Sequence, residues 1–229
     1  YSHAEPGHPL PTSIEDMAKR HRGVASGGNL RAAVFGVSDG LVSNCSLILG
    51  VAGAQPAPSM ILLSGVAGLL AGAFSMAAGE FISVRSQREM FEYQIGLEKK
   101  ELDHYPEEEA EELALIYQAR GLEREDAVRL ANGLTADPAR ALDTLAREEL
   151  GLNPDDLGSP WGAAIYSFCA FALGAAIPLL PFLFGHGGAS LPISVALTAC
   201  ALFGVGATLS LFTGRNAWLS GVRMLGIGC

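Results

Sequence analysis

Long apolar runs alternate with polar breaks along this chain, and the run lengths set the first expectation. Ala32 to Ala54 is apolar but for Asp39, and Met60 to about Ser83 is apolar until Glu80. A helix needs roughly 20 apolar residues to cross the hydrocarbon core of a bilayer, so each run predicts a span. Gln55-Pro56-Ala57-Pro58 between them is a tight reversal. Trp161 to Phe184, containing Pro178 and Pro181, predicts a third span. Gly185-His186-Gly187-Gly188 turns it, and Leu191 to Thr213 predicts a fourth. Met224–Cys229 opens another apolar run, the expected start of a fifth, so the sequence reads as an excerpt of a longer protein.

From Arg85 to Gly158 the period changes to that of amphipathic helices with one buried face. Helices are expected over about Arg85–His104, Pro106–Arg120, Arg124–Asn132 and Pro138–Leu150, with Leu113, Ile116 and Tyr117 on a stripe to bury. Pro106 suits the opening turn of its helix and Gly121 the end. The first thirty residues are polar and hold at most a short helix around Ile14–His21. The expected division is therefore a tail (1–30), two transmembrane helices (31–84), an acidic helical domain (85–158), and two more transmembrane helices with the start of a fifth (159–229). The fold class is an all-α integral membrane protein, a five-helix transmembrane fold truncated in its fifth helix, with a helical domain inserted between helices 2 and 3.

Composition sharpens this picture. Of 229 residues 49% are hydrophobic and 17% charged, below the roughly 25% of charged residues in soluble domains. The net charge of −9 is segregated: 19 of the 24 Asp and Glu lie between Arg85 and Gly158, against nine Lys and Arg there. Nucleic acid is excluded as a partner, because neutralising phosphates needs a basic face. Lys19, Arg20, Arg22, Arg31, Arg85, Arg88, Arg215 and Arg223 flank one side of the predicted spans, while the Gln55 and Gly185 turns carry no Lys or Arg. Positive charge marks the cytoplasmic side, so the amino terminus and the acidic domain are expected there. Cys45, Cys169, Cys200 and Cys229 have no metal or redox spacing and read as free, buried thiols.

The candidate chemistry begins with Asp39. An ionisable group in mid-span costs on the order of 3 kcal/mol unless it faces a polar cavity or a partner, so it marks a pathway or a pair with Arg31. Ser43 and Ser46, four and seven residues on, share its face. On the second span Met76 and Glu80 are four residues apart, and a thioether with a carboxylate suits a first-row divalent ion better than Ca²⁺ or Mg²⁺. Gly36 with Gly40, and Gly68 with Gly72, form GxxxG patterns that let the first two spans pack closely, on each other or across a dimer. In the acidic domain Glu98 with Glu101, and Glu109 with Glu112, share faces, and Glu148 and Glu149 close the last helix. Crowded carboxylates repel unless protonated or bridged by cations; from spacing alone a solvated acidic face competes with a metal site. Glu101-Leu102-Asp103-His104 spells a single ExxH, too few for a di-iron centre. No nucleophile with its base, phosphate loop or dinucleotide fingerprint is apparent, so an enzyme is not expected.

Two segments carry a resemblance. Arg31-Ala32-Ala33-Val34-Phe35-Gly36-Val37-Ser38-Asp39-Gly40-Leu41-Val42-Ser43-Asn44, and Ser75-Met76-Ala77-Ala78-Gly79-Glu80-Phe81-Ile82-Ser83-Val84 followed by Ser86-Gln87, resemble the vacuolar iron transporter family, as does Arg223-Met224-Leu225-Gly226. The resemblance implies five transmembrane helices per subunit, a homodimer with its pore between subunits, and export of Fe²⁺ from the cytoplasm in exchange for protons, with Mn²⁺, Zn²⁺ or other divalent ions as further substrates. It places Asp39 and Met76 on pore ligands; Ser43 and Glu80, which share their helical faces by spacing, are taken into the same transport pathway. It places Glu98, Glu101, Glu109, Glu112 and Glu149 on the metal-binding glutamates of the cytoplasmic domain. Leu145 and Ala146 stand where plant members carry a Met pair, which removes soft donors there. No permanently bound cofactor is implied; the partners are a second copy, the bilayer, metal ions and protons. The location is a bacterial plasma membrane, or the vacuolar membrane in a eukaryote. The competing reading is a membrane-anchored acidic module that binds or stores iron without transporting it.

Overall fold

The computed structural model describes residues 27–184, 188–214 and 216–228, and these are mostly helical, with no strand among them. The expected helix near Ile14–His21, the Lys19, Arg20 and Arg22 cluster, the centre of the Gly185 turn, Arg215 and Cys229 lie outside the described residues. The helices are α1 (Gly27–Gly53), α2 (Pro58–His104), α3 (Pro106–Ala119), α4 (Arg124–Thr135), α5 (Pro138–Glu148), α6 (Pro160–Ala176), α7 (Leu180–Phe184), α8 (Ser190–Thr213) and α9 (Ala217–Gly228), with a 3₁₀ turn at Ile177–Leu179 between α6 and α7. Gly79–Gly162 forms one compact unit, and the described residues before and after it form the other.

Four helical stretches are long and apolar enough to cross a membrane: Ala32–Gly53, Pro58–His104, Pro160–Phe184 and Ser190–Ser210. The chain is a multi-pass membrane protein. Large apolar side chains such as Leu63, Phe74, Ile165 and Leu173 stand exposed on these stretches, the arrangement lipid permits and water would penalise. Between the spans, small residues set the contacts. A Cβ on Gly40 would lie 2.3 Å from the Phe171 carbonyl oxygen, and one on Gly174 would lie 2.2 Å from that of Val37. The Gly36 and Gly40 pair therefore seats α1 on α6, where sequence had suggested the second span or another copy.

The two prolines of the third span end its α-helix at Ala176, because a proline has no N–H to give to the preceding turn. Side chains from neighbouring helices serve the carbonyls there. Asn44 Nδ2 donates to the Ala175 carbonyl at 2.7 Å, and Ser194 Oγ donates to that of Pro178 at 2.6 Å.

One expected boundary does not exist. Sequence placed a second span to about Ser83 and a separate helix from Arg85, yet α2 runs unbroken over 47 residues. No Pro or Gly stands between Phe81 and Met90, and Arg85–Glu89 and Arg88–Glu92 ion pairs at i,i+4 support that helix, at 2.8 and 2.7 Å.

The Gly79–Gly162 unit has a core of Leu102, Leu113, Ala114, Ala127, Ala131, Ala141 and Leu145, supplied by α2 to α5. A single residue, Tyr105, separates α2 from α3, and its N–H bonds to the Glu101 carbonyl at 2.7 Å. Pro106 opens α3, and Glu107, Glu108 and Glu109 in the first turn complement its dipole. At the other end Gly151 takes a φ of +65°, and Leu152 N–H closes back on the Ala146 carbonyl at 2.8 Å, fixing the residues just after α5. Of the cysteines, Cys45 is buried, but Cys169 and Cys200 are exposed; all three are free thiols.

Candidate functional site

Two groups of polar side chains stand out, one in each unit. The first lies in a cleft of about 320 Å³ lined by Asp39, Ser43 and Asn44 of α1, Ser75 and Met76 of α2, and the rings of Phe35 and Phe171. Asp39 and Ser43 meet because they are one helical turn apart. Ser43 Oγ donates its proton to the Asp39 backbone carbonyl, which leaves the oxygen lone pairs as the hydroxyl's free face. Gly72, opposite, is a slot for Phe171: a Cβ there would lie 2.2 Å from the ring. The cleft thus joins a carboxylate, hydroxyls, an amide and a thioether inside an apolar frame. Glu80 is half-buried and belongs to the other compact unit. The side chain of Arg31, the alternative partner for Asp39, lies outside the described side chains.

The second group gathers on α2, α3 and the end of α5. Carboxylate oxygens of Glu98, Glu109 and Glu149 all lie within 4.8 Å of one another. Glu98 is 3% exposed, and its Oε1 has no hydrogen-bond partner. Burial, then the charges of Glu149 and Glu109, push the Glu98 carboxyl from 4.5 up to about 8. Burial also raises Glu109, where hydrogen bonding from Glu98 works the other way, with Glu112, Glu149 and Glu101 adding repulsion. Glu149 is raised by burial and then by Glu112 and Glu101. All three carboxyls are thus pushed toward the protonated form when no cation is present. Glu101 and Glu112 are exposed and act on it through their charge.

Four arginines of this unit are engaged elsewhere. Arg120 pairs with Glu148, Arg124 with Glu111, Arg129 with Asp126, and Arg147 with Asp143 and Asp155. Glu148 is thereby separated in role from Glu149, which residue spacing alone left side by side at the end of the last helix. Leu145 and Ala146 are fully buried. Three carboxylates so placed offer only hard oxygen donors, and they can take up either a proton or a divalent cation.

Asn44 and Ser75 had not been singled out from sequence. Asn44 is five residues beyond Asp39, off its helical face, and its one signal was a polar amide within an apolar run.

A membrane unit with a carboxylate-bearing cleft and a second unit with converging glutamates describe a class of ion-handling membrane proteins, and sequence comparison places the chain within it. The family model described as the VIT family matches residues 30–229. Vacuolar iron transporter 1 of Arabidopsis thaliana is 33% identical over 218 residues, 95% of this chain and 86% of that protein. Vacuolar iron transporter 1 of rice is 32% identical over 208 residues, 90% and 82% of the two chains. The vacuolar iron transporter of Acanthamoeba castellanii is 35% identical over 214 residues, 91% and 77%. The chain belongs to the VIT family.

Proposed function

We propose that the chain transports divalent first-row metal, Fe²⁺ and also Mn²⁺, out of the cytoplasm in exchange for protons. The observation that carries this reading is Asp39 in a polar cleft of the membrane unit, beside Ser43 and Met76; the names of the relatives supply iron alone. A carboxylate away from bulk water is neutralised either by a proton or by a cation. Metal and proton therefore compete for Asp39, and a carrier that exposes it to each side in turn exchanges one for the other.

Met76 adds a soft donor suited to a transition ion. Asp39 is exposed on the single chain, and lipid against that face would be costly; a second copy covering it, as a homodimer with the route between subunits, removes the cost. Glu98, Glu109 and Glu149, with Glu101 and Glu112 around them, collect ions on the cytoplasmic side, and each arriving M²⁺ displaces protons from them. The amino terminus is cytoplasmic on this reading. The membrane is the vacuolar one in a eukaryotic cell or the plasma membrane in a bacterium. An anchored storage module accounts for the glutamates but leaves Asp39 without a purpose.

The test is uptake of Fe²⁺ and Mn²⁺ by proteoliposomes holding the full chain, with and without a pH gradient. Metal movement that drives, and is driven by, opposite proton movement is the expected result. Metal binding with no flux under either condition would leave the storage reading in its place.

A further inference from the structure

Where the apolar run of α2 ends, charges of both signs line a hollow that metal handling does not use. After Ile82, Ser83 and Val84 come Arg85, Arg88, Glu89 and Glu92. With Phe81 before them, and Pro160 and Trp161 at the start of α6, they line a cavity of about 250 Å³ within the Gly79–Gly162 unit. Phe81 and Trp161 meet with ring centroids 4.9 Å apart, and Trp161 is 70% exposed.

Pro160 begins a stretch able to cross a membrane, and α2 turns from apolar to charged at Arg85. Both helices therefore pass here from hydrocarbon to water, the level at which tryptophan and arginine meet lipid headgroups.

The charges are neither used up nor of one sign. Arg85 Nε donates to Glu89 Oε1 at 2.8 Å, and Arg88 Nε to Glu92 Oε1 at 2.7 Å. These four side chains make no further hydrogen bond among the described residues, so the terminal Nη groups of both arginines and Oε2 of both glutamates stay open. Two guanidinium groups suit a phosphate, and two carboxylates beside aromatic rings suit an ammonium. Their order along α2 has a direction. The arginines come first, next to the apolar run, and each paired glutamate lies roughly 6 Å farther along the helix. An ethanolamine phospholipid presents its charges in the same order, the phosphate next to the glycerol and the ammonium farther into water. A headgroup of net negative charge would be repelled by the glutamates, and a quaternary ammonium has no N–H to give them.

We propose that this hollow holds the headgroup of an ethanolamine phospholipid, its phosphate on Arg85 and Arg88 and its ammonium on Glu89 and Glu92 against the Trp161 ring. A lipid seated there ties the end of the second span to the start of the third. Nothing in this depends on transport; the site needs only a chain that spans a membrane.

The full chain in detergent is mixed with dioleoyl phosphatidylethanolamine, phosphatidylcholine or phosphatidylglycerol, and bound lipid is counted by native mass spectrometry. The ethanolamine lipid is expected to bind about tenfold tighter than either of the others, the scale of one hydrogen bond between charged groups. Glu89→Gln with Glu92→Gln should erase that preference and leave the glycerol lipid bound as before or tighter. Arg85→Gln with Arg88→Gln should weaken all three lipids. Both double variants remove only exposed ion pairs, so the protein should stay folded by thermal melt. If the arginine variant is not monodisperse, the glutamate variant decides alone on the ratio of ethanolamine to glycerol lipid.

Equal binding of the three lipids by the unaltered chain would mark ordinary contact with the bilayer and overturn the proposal. Tighter binding of the glycerol lipid, as a merely basic surface would give, overturns it too, as does a glutamate variant that keeps the original preference. Water-soluble phosphoethanolamine at the lipid's concentration should leave the lipid in place. Its displacement would assign the hollow to a free solute and reject the lipid.

Discussion

A side chain that cannot be solvated must be matched, and the two polar groups of this protein respond to that demand differently. At Asp39 the proposed match is a passing ion. Asp39→Asn keeps the shape but removes both the charge and the exchangeable proton, so metal uptake into proteoliposomes should fall to background while the protein stays folded by thermal melt. Met76→Ala should cut uptake about tenfold; normal rates in either variant would sink the cleft as the route. Among the glutamates the match is a proton. Glu98 is raised from 4.5 to about 8 in the folded chain, so between those values the folded state keeps a proton the unfolded chain has released. Its contribution is fully present below about 4.5 and is lost as pH rises toward about 8. The metal-free melting temperature should therefore drop across that window, and Glu98→Gln should flatten the drop and weaken stabilisation by added Mn²⁺. An identical pH profile in Glu98→Gln would mean that Glu98 bears no such load. Little of this was legible in residue spacing: Glu98, Glu109 and Glu149 come from three places in the chain, and spacing left a solvated acidic face open.

At the scale of elements, length and apolar content made the spans readable, because a bilayer imposes one length on every helix that crosses it. What sequence could not supply was the partner of each helix. Gly36 and Gly40 announce close approach but not to what, since any helix with small residues would serve; Ala170, Gly174 and Ala175 on α6 turn out to supply it. The continuity of α2 was also hidden, because a change from apolar to charged residues looks like an end although a helix needs a breaker to stop. The approach of α1 to α6 has a measurable consequence. A Cβ at Gly40 would meet two backbone atoms, the Phe171 carbonyl oxygen at 2.3 Å and the Ala175 nitrogen at 2.7 Å, neither of which can rotate away, whereas one at Gly50 has nothing within 4 Å. Gly40→Ala should therefore destabilise by about 1–3 kcal/mol, seen as a lower melting temperature in detergent. Gly50→Ala should be neutral or slightly stabilising. Equal behaviour of the two variants would mean that the helices can part at no cost.

For the molecule as a whole, what decides the direction of transport is which side of the membrane holds the glutamates. In the sequence Lys and Arg flank the expected spans on one side only, and the turns at Gln55 and Gly185 have none; because positive charge is retained in the cytoplasm, the proposed orientation has the Gly79–Gly162 unit there. The acidic excess of that unit carries little weight against this, because orientation follows Lys and Arg rather than net charge. Three exposed positions make the test. Ala57 lies between the first two spans, Gly188 between the third and fourth, and Gly133 at the exposed end of α4, with open space around both glycines. In a background without Cys45, Cys169, Cys200 and Cys229, single cysteines at Ala57 and Gly188 should react in intact cells with a membrane-impermeant thiol reagent added on the non-cytoplasmic side. A cysteine at Gly133 should react only after the membrane is opened. If the pattern were inverted, the glutamates would face away from the cytoplasm and the same chemistry at Asp39 would bring metal in, so a chain that labels in reverse cannot be an exporter of the kind proposed.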